Sequence, residues 1–202
     1  MNLEIVDLTK VLDENLYIYG DGTYFDPPLQ IETWCTVNIQ GYKVSRISMG
    51  TQCGTHIDAP SHFVEGGSDL GALPVDSLMG RYFWLDLDKA VQNKENKFDY
   101  QGEPVLFLAS HDNIKISEGL FNTLLGFPCR VWVIIYEVEV LEREFFYFNR
   151  ALAKAGKYLI ENIDALAAKQ VKSGGEIFAL PLRLSSTSGA PCRVTVRQSG
   201  NR

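Results

Sequence analysis

Basic charge is in short supply: 19 lysines and arginines stand against 25 aspartates and glutamates, for a formal net charge of −6. Nucleic-acid binding needs clustered Lys and Arg to release phosphate counterions, and the one basic stretch, residues 193–202, is too sparse to supply them. Long apolar runs are missing too. A membrane helix requires about 20 apolar residues in a row, and the longest candidate, 131–140, is cut by Glu137 and Glu139. The opening residues Met1-Asn2-Leu3-Glu4-Ile5-Val6-Asp7 have neither a positive flank nor a long apolar core, so no signal peptide is expected and the protein is expected in the cytoplasm. Paired cysteine spacing is absent as well. Cys35, Cys53, Cys129 and Cys192 form no C-x-x-C, which argues against a cysteine zinc site and, in an intracellular chain, predicts four reduced thiols. No repeat, low-complexity tract or linker interrupts the sequence.

What is present is enough apolar material for one core. The chain has 202 residues, 46% of them hydrophobic, which lies within the single-domain range, so one domain is expected over 1–202. Segment 3–8 reads as a first strand. Residues 15–28 mix Tyr17, Tyr19, Tyr24 and Phe25 with Gly20, Gly22, Pro27 and Pro28, which predicts an ordered loop. Segments 29–39 and 42–49 are rich in β-branched and aromatic residues, with Gln40-Gly41 placed for a hairpin turn. Further strands are predicted at 82–87, at the wholly apolar 105–109 and at 131–136.

Ser117 begins a polar lead into a helix over 120–125. A helix over 145–155 sets Phe148, Leu152 and Ala155 at helical spacing before a Gly156 stop. Residues 158–160 read as extended, and 162–164 can cap a helix over 165–172. Strands over 177–184 and 193–197 flank a turn-rich 185–191. Trp34, Trp84 and Trp132 fall in predicted strands and are expected in the core. Strands in succession mixed with intervening helices predict an α/β domain with a mixed central sheet rather than a doubly wound parallel one.

The chemistry concentrates in Gly54-Thr55-His56-Ile57-Asp58-Ala59-Pro60-Ser61-His62. His56 and Asp58 lie two apart, so in an extended segment both side chains project to one side and one divalent cation could touch both. Gly54 permits close backbone approach, Thr55 offers a hydrogen-bonding hydroxyl, and Pro60 stiffens the chain before His62. Imidazole with carboxylate suits zinc or manganese, and a second imidazole nearby can serve as ligand or base. The bland alternative is a hydrogen-bonded structural pair in a buried turn. His111 beside Asp112 reads as a surface-loop histidine, and Cys53, with no histidine in a cysteine-hydrolase pattern, reads as a packed thiol.

The segment Gly54-Thr55-His56-x-Asp58-x-Pro60-x-His62 resembles the signature H-x-G-T-H-x-D-x-P-x-H of the cyclase family, which includes kynurenine formamidase-like and isatin hydrolase-like enzymes and some polyketide cyclases. Ile5-Val6-Asp7-Leu8-Thr9 is similar to the family's opening strand. Asn149 through Glu161-Asn162 resembles its H-R-x-L-L…E-N stretch, and Pro181-Leu182…Gly189-Ala190-Pro191-Cys192-Arg193 resembles its P-L…G-A-P-x-R. The similarity spans most of the chain, with 110–141 hardest to align. It implies a swivelling β/β/α-like domain.

Two departures bear on the chemistry. The first histidine of the signature is Gln52 here, and the one twelve residues before the glutamate is Asn149. Both are ligands in two-metal members, and this chain has only three histidines, His56, His62 and His111. Neutral amides bind divalent cations more weakly than imidazole, so one metal, zinc or manganese, or none is expected.

The resemblance then implies His56, Asp58 and Glu161 as ligands, Gln52 as a carbonyl-oxygen ligand, and His62 as base or added ligand, with Glu161 also able to move a proton. A bound water, its pKa lowered, would attack an amide or lactone carbonyl of a small-molecule substrate. Glu161 alone would otherwise read as a helix-entry carboxylate beside Asn162. The resemblance also implies that Tyr17, Tyr19, Tyr24, Phe25 and Asn149 line the substrate pocket, in part from a neighbouring subunit of a homodimer or homotetramer. Two other readings stand beside the hydrolase: a metal-free biosynthetic cyclase or dehydratase, and a binding protein that keeps the fold without catalysis.

Overall fold

Strands buried on both faces read as unbroken apolar runs, and the two clearest runs of the sequence form the middle of the sheet. The computed structural model describes residues 2–93 and 96–200, so the last two residues of the basic stretch 193–202 lie outside the described residues. In chain order the strands are β1 (Leu3–Asp7), β2 (Gln30–Cys35), β3 (Val44–Ser48), β4 (His56–Asp58), β5 (Met79–Asp86), β6 (Val105–Ala109), β7 (Ile114–Ile116), β8 (Val131–Ile134), β9 (Val138–Val140), β10 (Tyr158–Glu161), β11 (Glu176–Pro181) and β12 (Gly189–Ser199). The helices are α1 (Val37–Gln40), α2 (Leu87–Ala90), α3 (Glu118–Leu125), α4 (Tyr147–Lys154) and α5 (Ala165–Ala168).

The main sheet has eight strands in the order β1-β12-β11-β5-β6-β8-β10-β4. Neighbours from β5 through β10 are parallel and the rest antiparallel, which is the mixed α/β domain expected. β4 pairs with β10 on one side and with the start of β12 on the other, so the sheet closes on itself. Side chains of the central strands alternate between two cores. Val105, Phe107, Val131, Val133 and Ile160 point into one, shared with Ile57, Ile177 and Val194. Leu106, Leu108, Trp132 and Leu159 point into the other, against Leu120, Phe121 and Leu124 of α3 and Phe148 and Leu152 of α4.

Local signals explain most element ends. The Ser117 hydroxyl caps α3 by accepting from the Leu120 N–H. After α4, Gly156 takes φ 72°, Lys157 N–H donates to Leu152 O and Gly156 N–H to Ala153 O, which satisfies the last carbonyls of the helix.

Several expectations need correction. The helix over 165–172 stops at Ala168, because tight turns follow and the Lys172 N–H bonds to Gln198 Oε1. The strand over 177–184 ends at Pro181, and β12 starts at Gly189 rather than 193 because Gly189-Ala190-Pro191 pairs with β4. β2 and β3 do pair antiparallel, but α1 fills the connection in place of a tight turn. The pairing slips between Thr33 and Cys35, and Trp34 there is 69% exposed rather than in the core.

Candidate metal and catalytic site

β4 brings the site together because the strand is paired on both edges. Its antiparallel register with β10 sets Glu161 opposite His56, and its register with β12 sets Pro191 opposite His56 and Gly189 opposite Asp58. Residues two apart on one strand and the residue directly opposite share a face. His56, Asp58 and Glu161 therefore converge: one ligand atom from each lies within 4.8 Å of the others. Among the described residues this is the one such group of three His, Cys, Asp or Glu side chains.

Gly54 prepares the turn into β4. It sits at φ 64°, and a Cβ there would meet Leu12 Cδ2 at 2.5 Å, so both its backbone angle and its surroundings call for glycine. Its carbonyl lies 2.8 Å from His56 Nδ1, which holds a proton on Nδ1 and leaves Nε2 facing the carboxylates. Thr55 is structural: its hydroxyl accepts from Lys10 N–H and donates to Asn162 O. That ties the end of β1 to the end of β10.

His56 Nε2 is buried and has no hydrogen-bond partner, with Glu161 Oε1 at 3.4 Å and Asp58 Oδ1 at 3.5 Å. Burial opposes charging this ring, but the attraction of Glu161 and Asp58 outweighs it and raises the pKa to about 9. Asp58 is pushed up, first by burial and then by the Glu161 charge, against the pull of His56. Burial also acts upward on Glu161, yet contact with His56, the charge of His62 and a bond from Asn149 carry it below the ordinary range. A cation would take the place of the Nε2 proton, and an imidazole nitrogen between two carboxylates, all held by a closed sheet, fits a small divalent one.

Around this triad the other expected residues divide. Gln52 is adjacent, but its amide presents nitrogen rather than oxygen: Nε2 lies 3.4 Å from Asp58 Oδ1, while Oε1 accepts from Thr51 Oγ1 at 2.6 Å. The Thr51 hydroxyl can donate or accept, so beside a cation at Asp58 the same side chain can turn its oxygen inward as a carbonyl ligand would. Asn149, on α4, donates from Nδ2 to Glu161 Oε2 at 3.4 Å. His62 ends the tight turn Pro60–His62 that follows β4, with its ring edge-on to Phe63 at 4.5 Å. It reaches solvent, yet enough protein surrounds it that burial, and then the His56 charge, lower its pKa and favour the neutral form.

Of the loop aromatics, Tyr19 meets Phe146 at 6.0 Å, and Phe146 meets Phe63 at 5.6 Å, forming a row of rings that ends at His62. Tyr17 instead borders a cavity of about 260 Å³, which lies beside Gly54, Lys10 and Asn162 rather than over the triad. Phe25 is 68% exposed and packs on Gly20, and the Tyr24 hydroxyl donates to Asp26. Sequence reasoning missed Phe63, Phe146 and Asp26. The charge of Asp26 acts upward on Asp58, His62 and Cys53. Phe63 adjoins His62 in the chain, whereas nothing in the spacing of Phe146 or Asp26 marks them. Burial raises the Cys53 pKa, which suits a packed thiol, and exposed His111 pairs with Asp88.

The Cyclase family model matches residues 6–121, more than half of the chain. The chain belongs to the Cyclase family. A kynurenine formamidase of Bacillus cytotoxicus is 25% identical over 214 residues, covering 96% of this chain and 97% of that protein. Isatin hydrolase A from Ralstonia solanacearum shares the fold with a TM-score of 0.76 at 15% identity, over 98% of this chain and 92% of that one. A protein described as a "predicted metal-dependent hydrolase" from Bacillus stearothermophilus superposes with a TM-score of 0.72 at 24% identity, over 98% and 99% of the two chains. Cyclase-family hydrolases thus share both the family and the architecture of this chain.

Proposed function

We propose that this family member is a hydrolase of a small amide, lactone or cyclic carbonyl compound with an aromatic or apolar body, using one divalent cation, zinc or manganese. The observation that carries the reading is the buried, unpartnered Nε2 of His56 between Asp58 Oδ1 and Glu161 Oε1. These three atoms would hold the cation. Bound there, it would supply a Lewis acid that polarises a carbonyl and lowers the pKa of water.

The chain's own residues do the rest. His62, whose pKa burial lowers so that the neutral form is favoured, takes a proton from the attacking water on an imidazole nitrogen. His62 then hands that proton to the departing amine or alkoxide, so that the leaving group goes neutral, while Glu161 is kept ionised by its neighbours. The row Tyr19, Phe146 and Phe63 supports an apolar or aromatic substrate body, flat rings being the natural partners of its ring faces. The relatives named as kynurenine formamidase and isatin hydrolase support hydrolysis over ring closure.

The reading includes a homodimer or homotetramer. It is supported by the β2–β3 arm, in which Ile31, Trp34, Val37, Ile39 and Ile47 are all exposed. A lone two-stranded hairpin is marginal in water, and a second copy would cover these side chains.

The test is elemental analysis of protein purified without chelators, beside a His56→Ala variant and an assay on small aromatic amides and lactones. One equivalent of metal, lost in H56A, with turnover reduced about 100-fold or more in His62→Ala, is expected. Turnover without metal would favour a metal-free cyclase, and neither metal nor turnover a binding protein.

A further inference from the structure

Beside the triad, but lined by none of His56, Asp58, Glu161 or His62, lies the cavity of about 260 Å³ at Gly54. Pockets for drug-sized ligands span roughly 300–1,000 Å³, so an occupant of this one has to be smaller. The chain builds its wall by specific bonds. The Lys10 N–H donates to Thr55 Oγ1 at 3.0 Å, and the Thr55 hydroxyl donates to the Asn162 carbonyl at 2.8 Å, which holds both residues at the cavity. Leu16 packs on Gly54, where a Cβ would stand 3.4 Å from Leu16 Cδ2.

Two charges of opposite sign border this space, and neither has an ionic partner among the described residues. Lys10 Nζ meets only the neutral Asn162 Oδ1 at 3.4 Å, which leaves Asn162 Nδ2 as a further N–H donor beside the ammonium. Asp13 is set by a turn in which its Oδ1 accepts from the Asn15 N–H at 2.9 Å and its carbonyl from the Leu16 N–H at 3.2 Å. A ligand carboxylate would take charge-assisted bonds from Lys10 and Asn162, and a ligand ammonium would give them to Asp13. An anion alone is disfavoured by Asp13 and a cation alone by Lys10, so the lining selects a molecule that carries both charges. Apolar surface completes it: Val11 and Tyr17 are 75% and 72% exposed, and an apolar group seated on them would take that surface from water.

We propose that this cavity is a binding site for a small zwitterion with an apolar side chain, of the α-amino acid class, separate from the site of hydrolysis. The occupant would lie against Gly54, whose carbonyl holds His56 Nδ1, and against Asn162, which follows Glu161, so it reaches the ends of both ligand-bearing strands. The site stands on its own lining and needs neither a cation at the triad nor turnover.

The test is calorimetric titration with L-leucine and with L-phenylalanine, on protein as purified and after stripping with chelator, because an α-amino acid can also chelate a cation. At least one of the two is expected to saturate at one equivalent per chain with a dissociation constant of about 1 mM or below, unchanged by stripping. Lys10→Met and Asp13→Asn, which keep the backbone bonds and side-chain shapes, should each weaken it about 10-fold or more. 4-Methylpentanoate and 3-methylbutylamine, which are leucine without its ammonium or its carboxylate, should bind more weakly by a similar factor.

No saturable binding of either amino acid would overturn the proposal. Binding that survives both substitutions would overturn it as well, and loss of that binding on stripping would move the ligand to a cation at the triad. Equal affinity for 4-methylpentanoate and leucine would remove Asp13 and the zwitterion from the site.

Discussion

Strands β6 and β8 on one side, and β2 and β3 on the other, all carry β-branched or bulky apolar residues, unbroken in the first pair and interleaved with polar ones in the second, and they meet opposite fates. Val105 to Ala109 and Val131 to Ile134 are buried at every position, while in β2, α1 and β3 no residue is buried. Two tryptophans make the contrast sharp: Trp132 is 0% exposed between α3 and α4, whereas Trp34 is 69% exposed at the slip in the hairpin. Composition made both segments strands. What covers a strand is decided by the rest of the fold, and among the described residues of a single copy nothing buries the arm.

The largest effect should come from testing the two tryptophans alike. Trp132→Ala opens a hole in the outer core and is expected to cost about 3–5 kcal/mol in denaturant unfolding, enough to threaten folding outright. Trp34→Ala in the isolated protomer should cost less than about 0.5 kcal/mol. Equal losses would mean that the arm packs as tightly as the sheet within one chain. Next in size is charging the arm. Ile31→Glu together with Ile47→Glu should shift the mass measured by light scattering to that of a monomer and leave the far-ultraviolet spectrum unchanged. An unchanged mass would remove the arm from the subunit contact.

The smallest effect belongs to the rim. Asp7 on β1 bonds Arg193 on β12, and both are largely exposed. Burial acts upward on Asp7, but the Arg193 and Thr9 hydrogen bonds more than offset it, so its folded pKa lies below the usual 3.8. A depressed carboxylate adds stability above its unfolded value and loses it as pH falls through the folded one. Arg193→Met should therefore lower stability near pH 7 by less than about 1 kcal/mol, with the difference from wild type vanishing in strong acid. A constant offset at all pH values would assign the contact to packing instead.

Much of this architecture was legible in the sequence because it rests on local chemistry. The unbroken apolar run at 105–109 could only be a strand covered on both faces, and Gly156 marked the end of α4. His56 and Asp58 shared a face because extended backbone alternates. Long-range register was less visible. Glu161 meets His56 only through the antiparallel match of β10 with β4, and the short pair β7–β9 carries too few residues to show a period. The amide orientation of Gln52 was illegible for the same reason, since it depends on Thr51, Asp58 and Ser188 arriving together. Trp34 misled because a tryptophan in a strand-like segment looks the same whether its cover comes from its own chain or from another.

The double pairing of β4 has one more consequence. A loop-borne constellation can breathe on its own, but backbone ladders on either side of His56 and Asp58 mean that this strand cannot detach without unzipping both β10 and β12. Its amide protons should then be among the last to swap with heavy water, leaving only when the entire domain opens. The ligand geometry and the domain itself would be lost in a single event.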